Sequence, residues 1–252
     1  MRCRGVVPLV MVGVGTLPMT YPFPARANPC ALEYVAGRHV YVGAPQKDVF
    51  IDDETLQFRA QRTPLEGFVV EISVAYTLVN RGPARNVVIG FPVGGAKLSS
   101  FRVAGEGVGG RVLPNAEEQE SWKKGMELSR CELNPLAGSA QSPFEWYLWN
   151  QALGAGPSRF QVHYIQRWDM GDELIVHYVL RTARSWGDGH IRRLRIELDD
   201  PGLQRKNRWN PSLRPSHVQN GGRRLVWELV AFEPKQDLAL RLEERDEQGH
   251  WQ

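Results

Sequence analysis

Between Phe68 and Leu78 every even position is apolar (Phe68, Val70, Ile72, Val74, Tyr76, Leu78), while Glu71, Ser73 and Thr77 fall among the odd ones. A period of two over this length predicts a β-strand with one face in a core. Arg81-Gly82-Pro83 is a turn signal, and the next run places Val87, Ile89 and Phe91 on one face before Pro92. The two runs read as a hairpin. Further strands are predicted over Thr55–Ala60, Leu98–Val103, Phe160–Trp168, Glu173–Thr182, Ile191–Leu198, Leu225–Val230 and Asp237–Leu242. Many short strands separated by Gly, Pro and Asn imply an all-β fold, an antiparallel β-sandwich.

One register follows from turn chemistry. With Asp169-Met170-Gly171 as a three-residue loop and Gly171 left-handed, Phe160 faces Leu180, Val162 faces Tyr178 and Tyr164 faces Val176 on the core side. Arg167 then faces Glu173 as an opposite-charge pair, and His163 faces His177. Two facing imidazoles have the chemistry to share a zinc or copper ion, but no third ligand is indicated, so the plainer reading is a surface pair and no metal is expected.

The strand pattern lapses over 104–142, a long mid-chain excursion that either interrupts one sandwich domain or divides it into two sub-sheets. Gly105, Gly107, Gly109 and Gly110 open it as a flexible stretch, and Asn115 with Glu118 fits a capping box for one short helix over Ala116–Lys124. The glycines lack phosphate-loop spacing. The aromatic cluster Phe144–Trp149 follows. As a strand it places Trp146 and Leu148 on one face and Tyr147 and Trp149 on the other, so Trp146, Tyr147 and Trp149 are either core residues or an exposed platform for stacking sugars.

The N-terminus changes the charge argument. Met1-Arg2-Cys3-Arg4 is cationic, Gly5–Met19 is an apolar run of 15 residues broken by Pro8, Gly13, Gly15 and Pro18, and Ala25-Arg26-Ala27 supplies the small residues of a cleavage site. This is an export signal over 1–27, too short for a bilayer-spanning helix of roughly 20 residues. A mature chain over 28–252, periplasmic or extracellular and without a transmembrane anchor, is expected. Of 31 Lys plus Arg against 28 Asp plus Glu, Arg2, Arg4 and Arg26 lie in the signal with no acid beside them, so the mature chain is formally neutral. A nucleic-acid partner is not expected from that balance. A local excess survives over Arg181–Arg214, where Arg193, Arg195, Arg205, Lys206 and Arg208 form a candidate patch for an anionic partner. Arg192, Leu194, Ile196 and Leu198 share one strand face, which leaves Arg193, Arg195 and Glu197 together on the other.

Cys3 leaves with the signal, and an oxidising compartment favours a Cys30–Cys131 disulfide; a lipid anchor on Cys30 is disfavoured by the preceding Ala27-Asn28-Pro29. Gly-x-Ser-x-Gly, His-Glu-x-x-His and Cys-x-x-Cys are absent from the mature sequence. Asp52-Asp53-Glu54 and Asp199-Asp200 offer carboxylates for a glycosidase or for calcium, yet neighbours on a strand point to opposite faces and such clusters are usually solvated. No catalytic residue and no cofactor are assigned.

The run Ile72–Gly82 followed by Val87–Pro92, a strand ending in Asn and then a strand ending in Phe-Pro, resembles the strand-turn-strand of secreted bacterial domains of unknown function. More distantly it is similar to the N-terminal domain of inter-alpha-trypsin-inhibitor heavy chains. Tyr178–Thr182 with Trp186, and Trp227–Leu242, are similar to the closing strands of the bacterial domains. The resemblance implies an extracytoplasmic β-sandwich and brings no catalytic residue or ligand. The expected function is an exported, nonenzymatic binding or accessory protein of the cell envelope, its partner an envelope component or another protein. A carbohydrate-active hydrolase with unassigned carboxylates is the alternative, and a purely structural domain the third reading.

Overall fold

The computed structural model describes residues 30–35, 39–42, 46–63, 67–93, 97–111, 145–169 and 173–246. In chain order the strands are β1 (Cys30–Val35), β2 (His39–Val42), β3 (Val49–Thr63), β4 (Gly67–Asn80), β5 (Arg85–Val93), β6 (Lys97–Gly105), β7 (Val108–Arg111) and β8 (Glu145–Leu153). They continue with β9 (Gly156–Trp168), β10 (Ile175–Tyr178), β11 (Ile191–Asp199), β12 (Asn207–Pro211), β13 (His217–Gln219), β14 (Arg224–Phe232) and β15 (Leu238–Glu244). Helix among the described residues is confined to 3-10 turns at Arg181–Ser185 and Asn220–Gly222. The fold is all-β, as the period-two pattern predicts. The predicted helix over 116–124 and Cys131 lie outside the described residues.

Three sheets share one core. A seven-stranded sheet runs β13-β14-β11-β3-β4-β9-β6; its buried face is covered by a five-stranded sheet, β2-β1-β5-β8-β7, and a three-stranded sheet, β10-β15-β12. Trp149 of β8 packs edge-on against Phe160 of β9 with ring centroids 5.8 Å apart, and Phe68 of β4 meets Trp209 of β12 at 6.0 Å. All predicted core positions of β4, from Phe68 to Leu78, are buried. One pair departs from the antiparallel expectation: β3 and β11 run parallel, from Ile51 beside Ile191 to Arg59 beside Asp199. Parallel neighbours need a long crossover, and the chain supplies one that includes seven described strands, β4 to β10.

The two predicted hairpins do not form. β4 pairs with β3 and β9, whereas β5 pairs with β1 and β8, so Arg81-Gly82-Pro83 carries the chain from one layer to the other. Buried Asn80 fixes this crossing: its Nδ2 donates to the carbonyls of Pro83 (2.9 Å) and Gly154 (3.1 Å), and its Oδ1 accepts the Gly82 N–H at 3.0 Å. Likewise β9 has both edges filled, by β4 and β6, and β10 joins β15 instead. Phe160, Val162 and Tyr164 face inward as predicted, but opposite Tyr76, Val74 and Ile72. Glu173–Thr182 is strand only to Tyr178 and then tightens into the 3-10 turn.

The strand pattern continues past residue 104, where the sequence suggests it lapses. Gly105, Glu106 and Gly107 make a second crossing, from β6 to β7, which pairs with β8. Gly105 has φ +138° and Gly107 φ +70°; a Cβ would sit 2.5 Å from the Arg159 carbonyl oxygen at the first and 2.1 Å from that of Ala152 at the second. Only glycine fits there, because positive φ and close backbone approach coincide. Strands from before and after 112–144 lie side by side in both large sheets, as β6 with β9 and β7 with β8.

Asn80→Ala is expected to lower stability by about 1–3 kcal/mol, because it strands buried backbone groups at the layer crossing. Urea unfolding of the variant beside the wild type measures this, and an unchanged midpoint counts against the bracing role.

Candidate functional site

Glu54 enters the core through a bulge in β3. The register shifts between Ile51 and Asp53, so Asp52 and Asp53 both lie half-buried while Glu54 falls in phase with Leu56, Phe58 and Ala60. Glu54 is fully buried, contrary to the expectation of a solvated acid cluster. The bulge is the physical reason, since an extra residue reverses the alternation. The Tyr178 hydroxyl of β10 donates to Glu54 Oε1 at 2.8 Å, and the Tyr76 hydroxyl of β4 lies 2.5 Å from that of Tyr178. Because Tyr178 gives its proton to Glu54, Tyr76 donates to Tyr178, and the order is Tyr76 to Tyr178 to Glu54. Burial, then the charge of Glu54, push both tyrosines well above the ordinary phenol range. Both hydroxyls therefore remain donors at any physiological pH.

A second acid is buried at the other end of the seven-stranded sheet. Asp200 follows β11, is fully buried, and accepts the indole N–H of Trp209 of β12 on Oδ2 at 3.0 Å. Burial, opposed by that hydrogen bond and by the charge of Arg62, raises its carboxyl above the usual aspartate range. Asp199, its neighbour, is exposed.

The outer face of the seven-stranded sheet carries Arg193 and Arg195 of the candidate patch, whereas Arg208 lies on β12 of the three-stranded sheet, with Arg205 and Lys206 in the turn before it. Arg193 and Arg195 point outward and Leu194, Ile196 and Leu198 inward, as the strand pattern predicts. Arg193, its side chain 64% exposed, bridges Asp52 at 2.8 Å and Asp53 at 3.1 Å on β3. Arg195 pairs with Glu197 on its own strand and Glu228 on β14, and Glu197 also takes Arg224 at 3.0 Å. Lys206 pairs with Glu244, and Arg208 with Glu243 at 2.7 Å. Arg205 is exposed in the turn before β12. The basic segment is thus interleaved with carboxylates from β3, β14 and β15, whose proximity depends on pairings between residues as much as 141 apart in sequence.

The aromatic cluster divides between core and rim. Trp149 is buried and its indole N–H donates to Gln151 Oε1 at 3.2 Å, so it is no part of an exposed platform. Tyr147 is half-buried and stacks on Phe101 with centroids 4.0 Å apart; the Trp146 side chain lies outside what is described. The two histidines do not face each other. His163 bonds Glu71 at 2.8 Å on the outer face, opposite Ser73 and Arg102, whereas His177 pairs with Ala239. Burial lowers the His177 imidazole below its ordinary value. Among the described residues no three His, Cys, Asp or Glu side chains converge as a metal site, and no helix is long and apolar enough to cross a membrane.

No family model and no curated protein matches the chain. Among solved structures it is similar to a candidate nutrient-binding protein from Legionella pneumophila, at 16% identity and a TM-score of 0.56 over 86% of this chain and 70% of that one. An M1 zinc metallopeptidase from Deinococcus radiodurans aligns at 11% identity and a TM-score of 0.37; the match covers 80% of this chain but 44% of that enzyme. The first likeness shows a shared β architecture at an identity where ligands do not transfer.

Tyr178→Phe is expected to cost about 1–3 kcal/mol, because it removes a donor from a buried carboxylate. Arg193→Gln, which breaks only exposed pairs, is expected to stay within about 0.5 kcal/mol of wild type. Chemical denaturation of the two variants compares them, and equal costs would contradict the division into anchored core and exposed ladder.

Proposed function

We propose that this is an exported, nonenzymatic binding or accessory protein of the cell envelope, with the outer face of its seven-stranded sheet as the contact surface. The observation that carries this reading is the contrast between the two faces of that sheet. One face is filled by aromatic and aliphatic side chains from two covering sheets; on the other, no described strand packs over Arg193, Arg195, Glu197 and Glu228, which form a paired charged array. A rigid, pre-paired array costs little side-chain entropy on docking, which suits binding more than chemistry. The fold likeness to a candidate nutrient-binding protein supports the same reading.

The partner is an anionic envelope component or protein that competes with the carboxylates for Arg193 and Arg195. Capture from native envelope extract, followed by elution at increasing salt, tests it. Arg193→Gln with Arg195→Gln is expected to weaken capture and flatten its salt dependence while barely moving the melting temperature. Undiminished capture by the folded double variant rejects this surface.

Export itself predicts two chemical facts about material secreted by the native host. The N-terminus is Asn28, and Cys30 and Cys131 are joined, so nonreducing mass spectrometry finds no alkylatable thiol. An intact Met1 terminus, or two free cysteines, would remove the basis for the envelope assignment.

A further inference from the structure

Asn220 is the one asparagine of the chain that precedes a glycine. It opens the loop between β13 and β14, at one edge of the seven-stranded sheet. Asn220, Gly221 and Gly222 all take positive φ, at +53°, +65° and +87°. Such a run suits asparagine and glycine, the residues that tolerate the left-handed region. Asn220 and Gly221 are exposed, and little holds them. The Arg223 N–H donates back to the Asn220 carbonyl across 3.4 Å, while neither the Asn220 side-chain amide nor the Gly221 N–H has a hydrogen-bond partner among the described residues. A Cβ on Gly221 would meet nothing within 4 Å, so the peptide between the two residues has room to turn. β13, which leads into the loop, is three residues long and wholly exposed.

The other described asparagines lack this combination. Asn80 is buried with its amide bonded, and the N–H of the following Arg81 donates to the Asp48 carbonyl at 2.7 Å. Asn86 and Asn150 lie within the paired strands β5 and β8 and precede Val87 and Gln151. Asn207 is buried, and Asn210 precedes Pro211, which has no N–H. A side chain on the next residue shields the backbone nitrogen from the asparagine before it, and a strand ladder fixes the peptide. Gly221 carries neither restraint.

We propose that Asn220 is a self-modifying site: the Gly221 backbone nitrogen closes on the Asn220 side chain and converts it, through a cyclic imide, into aspartate and isoaspartate. The nitrogen gives its proton to solvent base and bonds to Asn220 Cγ; the side-chain nitrogen leaves as ammonia, carrying a proton back from solvent. Water then opens the ring. Cleavage of the new bond to Cγ leaves aspartate, and cleavage of the original peptide bond leaves isoaspartate, whose main chain runs through the former side chain. Either product sets a carboxylate at the hairpin tip near exposed Arg223 and near Arg224, whose guanidinium holds Glu197 at 3.0 Å. Isoaspartate also lengthens the loop by one main-chain carbon, which the pairing of Gln219 with Arg224 must absorb. The protein thus gains a second, more acidic form with age, and β13 is the strand that form loosens. This inference is independent of the partner proposed for the outer face.

Incubation of the purified protein in heavy-oxygen water at about pH 6 and about pH 8, followed by peptide mapping in mild acid, tests the site. The peptide containing residue 220 is expected to yield both aspartate and isoaspartate, each with one heavy oxygen. The rate is expected to rise by up to about tenfold per pH unit, because the nitrogen attacks without its proton. A synthetic peptide of residues 215–224 sets the unrestrained rate, and the folded protein is expected to stay within about tenfold of it, since a loop tip restrains the chain little. Asn86 and Asn150 should remain unchanged in the same digest. Intact Asn220 when the peptide has converted, aspartate with no isoaspartate, or equal conversion at Asn86 and Asn150 would each overturn the proposal.

Discussion

Glu54 and Asp200 enter the core from β3 and from the end of β11, and each accepts a hydrogen bond from an aromatic side chain of the three-stranded sheet, Tyr178 in one case and Trp209 in the other. A buried carboxylate is costly unless its donors are in place, so both acids penalise every arrangement in which that sheet sits elsewhere. A slip of β10 by one residue turns Tyr178 away from the core, and a slip of β12 does the same to Trp209. Apolar contact alone would tolerate such slips, because Val176, Leu238 and Leu240 bury area in many registers. Glu54 lies inside the parallel ladder of β3 and β11, beside Leu194, and Asp200 just past its end, so between them they fix position along the strands as well as across them.

The same logic explains the chain's crossings. Asn80 and the Gly105–Gly107 turn move the chain between layers at points where backbone groups need partners or space that only those residues give. Hydrophobic burial drives the layers together, and these polar and steric details decide which strand lands in which layer.

What the sequence made legible is the local half of this. Alternation located β4, β5, β9, β11, β14 and β15 and assigned the inward faces of Phe160, Val162, Tyr164, Leu194 and Ile196, because side-chain direction depends only on the period. Pairing was not legible. Turn chemistry favoured hairpins at Arg81–Pro83 and Asp169–Gly171, but a turn reads the same whether the next strand returns to its neighbour's edge or crosses to the facing sheet. The candidate site suffered from the same gap. Apart from Glu197 on the same strand, the carboxylates that meet Arg193 and Arg195 come from β3 and β14, and Glu54 is buried by a bulge that no composition signal marks. The tandem acids themselves were the available hint: Asp52-Asp53-Glu54 and Asp199-Asp200 each interrupt or end a strand whose next inward position is due.

Carboxylates therefore serve two unlike purposes on one sheet. On the inner face Glu54 and Asp200 each accept from an aromatic donor in a dry setting, where loss of that donor weakens the hold on a buried acid and the fold bears the cost. On the outer face Asp52, Asp53, Glu197 and Glu228 meet guanidinium groups in water, where each pair contributes roughly 0–1 kcal/mol and can be broken by a partner with little loss. The outer residues are free to be exchanged for a different array without moving a strand, whereas Glu54, Asp200, Tyr178 and Trp209 are not. Binding specificity in such a protein can change on the outer face while the inner face keeps the architecture, since the two sets of residues alternate along the same strands and answer to different energies.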